Sequence, residues 1–169
     1  GTRNATERSG GRRPRGPALS RALPGAMVGS EMKVVDYVAR FLVSRGVRDV
    51  FAISGASDLR ILDAIASHPD LRYVCPHHEQ AGVMASLTYH RLSGRPAVML
   101  CTAGPGAVNT ITGIASAFLD SIPCVVLAGQ EKSEYTAPGY ALRSKGVQGL
   151  DMVGVAAPLT KYAACLNDP

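Results

Sequence analysis

The chain has 169 residues, 46% of them hydrophobic but only 5% aromatic, and no Trp. That suits one domain of ordinary size with an aliphatic core, and it excludes a chain disordered throughout. The net charge of +5 suggests a nucleic-acid or acidic-membrane partner, but its placement excludes that for most of the chain: residues 1–30 hold six arginines against Glu7, and residues 31–169 hold 12 basic and 12 acidic side chains.

Residues 1–30 are rich in Arg, Gly, Pro and Ser without hydrophobic periodicity, and they read as a disordered tail. A transit-type presequence, a translated upstream region or a cloning remnant would each give such a tail, with Met27 or Met32 as alternative starts. The four cysteines are widely spaced with no C-x-x-C pair, and Cys75, Cys101 and Cys124 lie in or beside apolar runs. Buried, reduced thiols are expected, in the cytoplasm, or in an organelle if the tail is a transit peptide. No apolar run approaches the roughly 20 residues of a membrane span.

From Ser30 the pattern becomes regular. Ser30 can cap a helix, with Glu31 in its first turn, an apolar stripe of Val34, Val35, Val38, Phe41 and Leu42, and Gly46 as its left-handed end. Asp49–Ile53 reads as a strand, Leu59–Ser67 as a helix stopped before Pro69, and Leu71–Cys75 as a second strand. A helix from Glu79 to Leu92 closes at Gly94. Pro96–Thr102 is a third strand, and a single helix is expected from the Gly104-Pro105-Gly106 turn to Phe118. Ile122–Ala128 reads as a fourth buried strand, followed by a polar segment at 130–147, a short helix near 148–156 and an extended stretch at Leu159–Ala164. Strands alternating with helices imply an α/β fold: a parallel β-sheet with helices on both faces, occupying residues 31–169. Ligands of such sheets bind beyond the carboxyl ends of the strands. Three turns fall there: Ser54–Asp58, Pro76–Glu79 and Ala103–Asn109.

Glu79 opens a helix after His77 and His78, so a bland reading makes it a partner of the helix dipole. A metal reading of this cluster is weak, because neighbouring helical residues do not converge on one ion. In Thr102-Ala103-Gly104-Pro105-Gly106-Ala107-Val108-Asn109, Pro105 suits a first helical turn and Gly106 permits close approach. The spacing imitates a dinucleotide fingerprint. Asn109 stands where that fingerprint needs Gly or Ala, and no acid ends a strand about 20 residues on.

Taken together, His78-Glu79-Gln80, Tyr89-His90-Arg91, Ala103–Asn109, Asp120-Ser121-Ile122-Pro123, Gly129-Gln130, Gln148 and Thr160-Lys161 resemble, in order and spacing, the pyrimidine-binding domain of thiamine-diphosphate-dependent enzymes. Acetolactate synthases are the most similar group, and the resemblance runs from about Glu31 to Ala164. It implies that Glu79 is catalytic, hydrogen-bonding N1′ of the cofactor's aminopyrimidine and so activating the cofactor toward a 2-keto acid. Such a task calls for a carboxyl able to carry a proton near neutral pH, and desolvation favours that form. Pro105, Asn109 and Gln130 are implied as further cofactor-binding residues, and no metal ligand is implied in this chain.

The resemblance also implies Mg²⁺ with the cofactor diphosphate, held by a second domain with a G-D-G motif that this sequence lacks, and FAD in a middle domain of the full-length protein. The chain thus reads as a fragment, truncated at its C-terminus and inactive alone. The implied partners are the diphosphate-binding domain of another subunit in a homodimer or homotetramer. The readings kept open are another thiamine-diphosphate decarboxylase or lyase, as fragment or split subunit, and a non-catalytic module retaining the fold. The turn Ala52-Ile53-Ser54-Gly55-Ala56 departs from the family's G-Y-P-G-G, as do Leu87, Thr88, Val147 and Gly149 at other motif positions, and these departures bear on the substrate.

Overall fold

A computed structural model describes residues 31–136, 142–144 and 146–167. The expected tail and the Ser30 cap lie outside the described residues. Helix α1 (Val34–Ser44) begins later than the sequence suggests, with Lys33 as its N-cap and Glu31 ahead of it. Strand β1 (Asp49–Ala52) leads to α2 (Leu59–Ser67), β2 (Arg72–Val74), α3 (Glu79–Ser93) and β3 (Ala97–Cys101). Helices α4 (Pro105–Val108) and α5 (Ile111–Leu119), strand β4 (Cys124–Ala128) and helices α6 (Ser133–Thr136) and α7 (Met152–Ala156) follow.

The sheet is parallel throughout, in the order β2-β1-β3-β4. Period-two alternation along β3 feeds two cores. Val98 and Leu100 pack with Val50 and Ala52 against Ala39 and Leu42 of α1 and Ile65 of α2. Ala97, Met99 and Cys101 face the other way, against Val83 and Leu87 of α3 and Ala117 of α5. Helices on both faces keep β3 dry, and all five of its residues are 0% exposed.

Several local expectations are corrected. The helix after Gly104-Pro105-Gly106 is two helices, because the chain resets at Asn109-Thr110: the Thr110 amide bonds Ala107 O at 3.1 Å, a tighter turn than the α-helical one. Strand β4 is only partly covered, with Val125 44% exposed, because it borders the described sheet. The last helix starts at Met152, because Asp151 caps it by accepting from the Gly154 amide at 3.0 Å. A 3-10 turn (Ala157–Leu159) occupies the start of the expected extended stretch. All four thiols are free, but only Cys101 is buried; Cys75, just past the edge strand β2, and Cys165 are exposed. No helix among the described residues is long and apolar enough to cross a membrane.

Helices α3 and α5 approach through glycine. A Cβ on Gly113 would lie 2.5 Å from Val83 Cβ, on a buried β-branched side chain with little room to move. Gly113→Ala should therefore destabilise the protein by about 1–3 kcal/mol, outweighing the helix propensity gained by Ala. The denaturant midpoint measures this, and an unchanged or raised midpoint would contradict the close packing.

Candidate active site

The strand order places a topological switch between β1 and β3, whose connections depart in opposite directions. The crevice expected there is closed. Ser57 Oγ meets Thr102 Oγ1 at 2.8 Å and accepts the Ala103 amide at 2.9 Å. A Cβ on Gly55 would fall 2.4 Å from Thr102 Cβ, and one on Gly129 would fall 2.3 Å from Ser57 Oγ. The open chemistry is displaced to either side of this knot.

On the α3 side stands Glu79, the first residue of that helix. His78 caps the helix, its Nδ1 accepting from the Gln80 amide at 3.2 Å. The Glu79 side chain turns inward and is buried. Its Oε2 accepts from Asn109 Nδ2 at 3.0 Å. The reset between α4 and α5 brings that amide into reach. Oε1 lies at the foot of the Gly-Pro-Gly turn, where a Cβ on Gly106 would come within 3.2 Å of it. The absent Cβ leaves a cradle in front of a carboxyl oxygen that, among the described residues, accepts no protein hydrogen bond. Such a carboxyl, one oxygen anchored and the other free, suits a heteroaromatic nitrogen that shares a proton. The aminopyrimidine of thiamine diphosphate presents one.

The four residues singled out from the sequence do not all meet. Glu79 and Asn109 form a pair. Pro105 is exposed at the first position of α4, and its carbonyl accepts the Asn109 amide at 2.9 Å. Gln130 is separate. It lines a cleft of about 210 Å³ with Gly104, Gly129, Asp151 and Asn167. There its Nε2 donates to Asn167 Oδ1 at 3.0 Å and its Oε1 accepts from the Cys165 thiol at 2.6 Å. Gln148 precedes α7, its backbone lying against Gly104, so a Cβ there would overlap the Gln148 carbonyl. No cluster suited to a metal ion occurs among the described residues.

Residues 32–154 match the family described as "Thiamine pyrophosphate enzyme, N-terminal TPP binding domain". The chain belongs to the thiamine pyrophosphate enzyme family. Among its relatives, the acetolactate synthase isozyme 3 large subunit of Escherichia coli is 41% identical over 128 residues, 76% of this chain and 21% of that protein. The acetolactate synthase large subunit of Buchnera aphidicola from Acyrthosiphon pisum is 38% identical with the same coverage. The chloroplastic acetolactate synthase of Arabidopsis thaliana is 35% identical over 136 residues, 80% of this chain and 19% of that protein. The chain thus spans about a fifth of the length of these curated relatives.

Some motif residues of this thiamine pyrophosphate domain have structural work. Tyr89 donates its hydroxyl to Asp49 Oδ2 at 2.6 Å, and Arg72 bonds Asp49 Oδ1 at 2.7 Å. Arg91 pairs with Asp120 at 2.6 Å on the surface, an exposed pair worth about 0.5 kcal/mol. Asp58 ends the turn 54–58 and was not among the residues expected at the site, yet it is 0% exposed. Asp58 Oδ1 accepts the Gly55 amide at 2.7 Å, while the buried Oδ2 has no partner. A charged residue ahead of the apolar stripe of α2 was the available signal, and it reads equally well as an exposed cap.

Burial pushes the Asp58 carboxyl above its ordinary 3.8, with the backbone N–H of Gly55 pulling the other way. A carboxyl raised in the folded state costs nothing below about pH 3.8 and becomes destabilising as pH rises through its folded value. Wild-type protein should therefore lose more stability than Asp58→Asn between pH 3.8 and neutrality. The cost of burying the new amide does not depend on pH, so the difference in slope isolates the carboxyl. Urea midpoints across pH measure it, and parallel profiles would refute it.

Proposed function

We propose that the whole protein is an acetolactate-synthase-like enzyme, a transferase or lyase that decarboxylates and joins 2-keto acids, with Glu79 activating its thiamine diphosphate. The buried Glu79–Asn109 pair beneath the Gly-Pro-Gly turn carries this reading, and the acetolactate synthase relatives support it. Bound thiamine diphosphate supplies a carbon nucleophile for a 2-keto acid. The chain's own part is acid–base work. Asn109 holds Oε2, which leaves Oε1 to exchange a proton with the ring nitrogen. Gly106 makes room for the ring, and Pro105 stiffens the turn that carries it. Gln130, across the knot of turns, is assigned to the rim of the same site by the resemblance.

The same reading carries Mg²⁺ with the diphosphate, held by another domain, and FAD in the whole protein. It also carries a homodimer or homotetramer in which this domain faces the diphosphate-binding domain of another subunit. Phe118 and Leu119, 57% and 79% exposed, support an apolar partner surface. The free cysteines support a reducing compartment, cytoplasmic or organellar. A second reading, another thiamine-diphosphate decarboxylase or lyase, is favoured by the turn after β1, where Ser54 and Ala56 depart from the acetolactate synthase pattern.

The test uses the whole protein loaded with thiamine diphosphate in D₂O. Glu79→Gln should slow deuterium exchange at the cofactor's C2 by about 100-fold or more while the cofactor still binds. An unchanged rate would sink the assignment. Product analysis with pyruvate separates the two readings: acetolactate supports the first, and a different product or none supports the second.

A further inference from the structure

We propose that Ser57 is a positioning residue of the Glu79 site, holding the turn after β3 where Gly106 faces the Glu79 carboxyl. The inference rests on the thiamine-diphosphate reading of Glu79.

One hydroxyl ties two consecutive residues of a turn that lies 45 and 46 positions away, Thr102 through its hydroxyl and Ala103 through its amide. Space around the tie is exhausted, since Gly55 and Gly129, at the ends of β1 and β4, have no room for a Cβ beside Thr102 and Ser57. The contact continues toward the site. A Cβ on Gly106 would lie 2.7 Å from Thr102 Cγ2, and the same point is 3.2 Å from Glu79 Oε1. Thr102, held by Ser57, thus walls the same small space in front of Gly106 that the free oxygen of Glu79 faces. Asn109 fixes Oε2, and Ser57 fixes what stands before Oε1.

Asp58 strengthens the case. Its Oδ1 shapes the turn that presents Ser57 by accepting from Gly55, while Oδ2 is buried without a partner. Leaving a carboxyl oxygen unsatisfied in the interior is costly. A turn needed only to connect β1 to α2 would be served by an exposed Asn or Ser. An unsatisfied group of this kind in the interior calls for a role beyond connecting two elements.

The test compares Ser57→Ala, Thr102→Val and the double variant of the whole protein. Thr102→Val keeps the Cγ2 methyl on the Gly106 side and puts a methyl in place of the hydroxyl, so it breaks the same tie from the other end if Ser57→Ala fails to fold. Leu62→Ala, which thins the packing of α2 away from the turn, serves as a control for lost stability. One readout needs no cofactor: hydrogen exchange at the amides of Val108 and Asn109, whose bonds to Gly104 and Pro105 close the turn. The other is deuterium exchange at C2 of bound thiamine diphosphate.

Either hydroxyl deletion should speed exchange at those amides and slow C2 exchange by about ten-fold or more. The double variant should be no worse than the more affected single variant, because the two hydroxyls act as one unit. Leu62→Ala should leave C2 exchange per folded molecule unchanged. Normal C2 exchange in Ser57→Ala and Thr102→Val, alongside its loss in Glu79→Gln, would overturn the positioning role alone. An equal loss in Leu62→Ala would also overturn it, reducing Ser57 to general stability. Retention of C2 exchange in Glu79→Gln would bring down the parent reading and the inference with it.

Discussion

Strand β3 is buried to its last residue, and most of the structure follows from that. A strand covered by helices on both faces can carry no polar chemistry along its length. Ala97, Met99 and Cys101 belong to one core and Val98 and Leu100 to the other. Polar groups first become possible at Thr102, where the strand ends. The parallel neighbours end beside it, so three turns converge at one edge of the sheet. Close packing also sets the approach of α3: Gly82 has no room for a Cβ beside Met99 Sδ, 2.6 Å away. Pulled in this far, the helix delivers its first residue, Glu79, to the turn after β3.

The site that results treats the two oxygens of one carboxyl differently. Oε2 is bonded by an amide from a residue that exists in that orientation only because a helix is interrupted. Thr110, itself fully buried, stabilises the interruption by donating its hydroxyl to Ala107 O at 2.6 Å. Oε1 faces space kept open by a missing Cβ. Anchoring one oxygen and exposing the other removes the rotational freedom a carboxyl would otherwise lose on meeting a ligand.

Where local chemistry decides a feature, the sequence was readable. The helix Leu59–Ser67 was legible to the residue, since its apolar stripe runs out just before Pro69, and Gly94 closes α3 as expected, doing so in the left-handed conformation. Glu79 and Asn109 were recognisable through motifs whose spacing reflects a shared geometry. The break at Asn109-Thr110 carries no Gly or Pro and depends on contacts with α3, 30 residues away, so no local signal marks it. The partial exposure of β4 was illegible for a similar reason: Ile-Pro-Cys-Val-Val-Leu-Ala reads alike at the centre and at the border of a sheet. Gln130 was placed beside the cofactor by its motif, while its side-chain partners come from Cys165 and Asn167, far along the chain.

Cys101 lies at the end of β3, one residue before the knot of turns. Burial, and after it the negative charges of Glu79 and Asp58, push its thiol up to about 12. Thiolates attack carbonyl carbon and neutral thiols scarcely do; with so weak an acid, the ionised fraction at pH 7 is on the order of 10⁻⁵. Burial above all, with the two carboxylates adding to it, therefore silences the sulphur. The protein can keep a small, polarisable atom packed at the edge of its candidate site without adding a reactive nucleophile there.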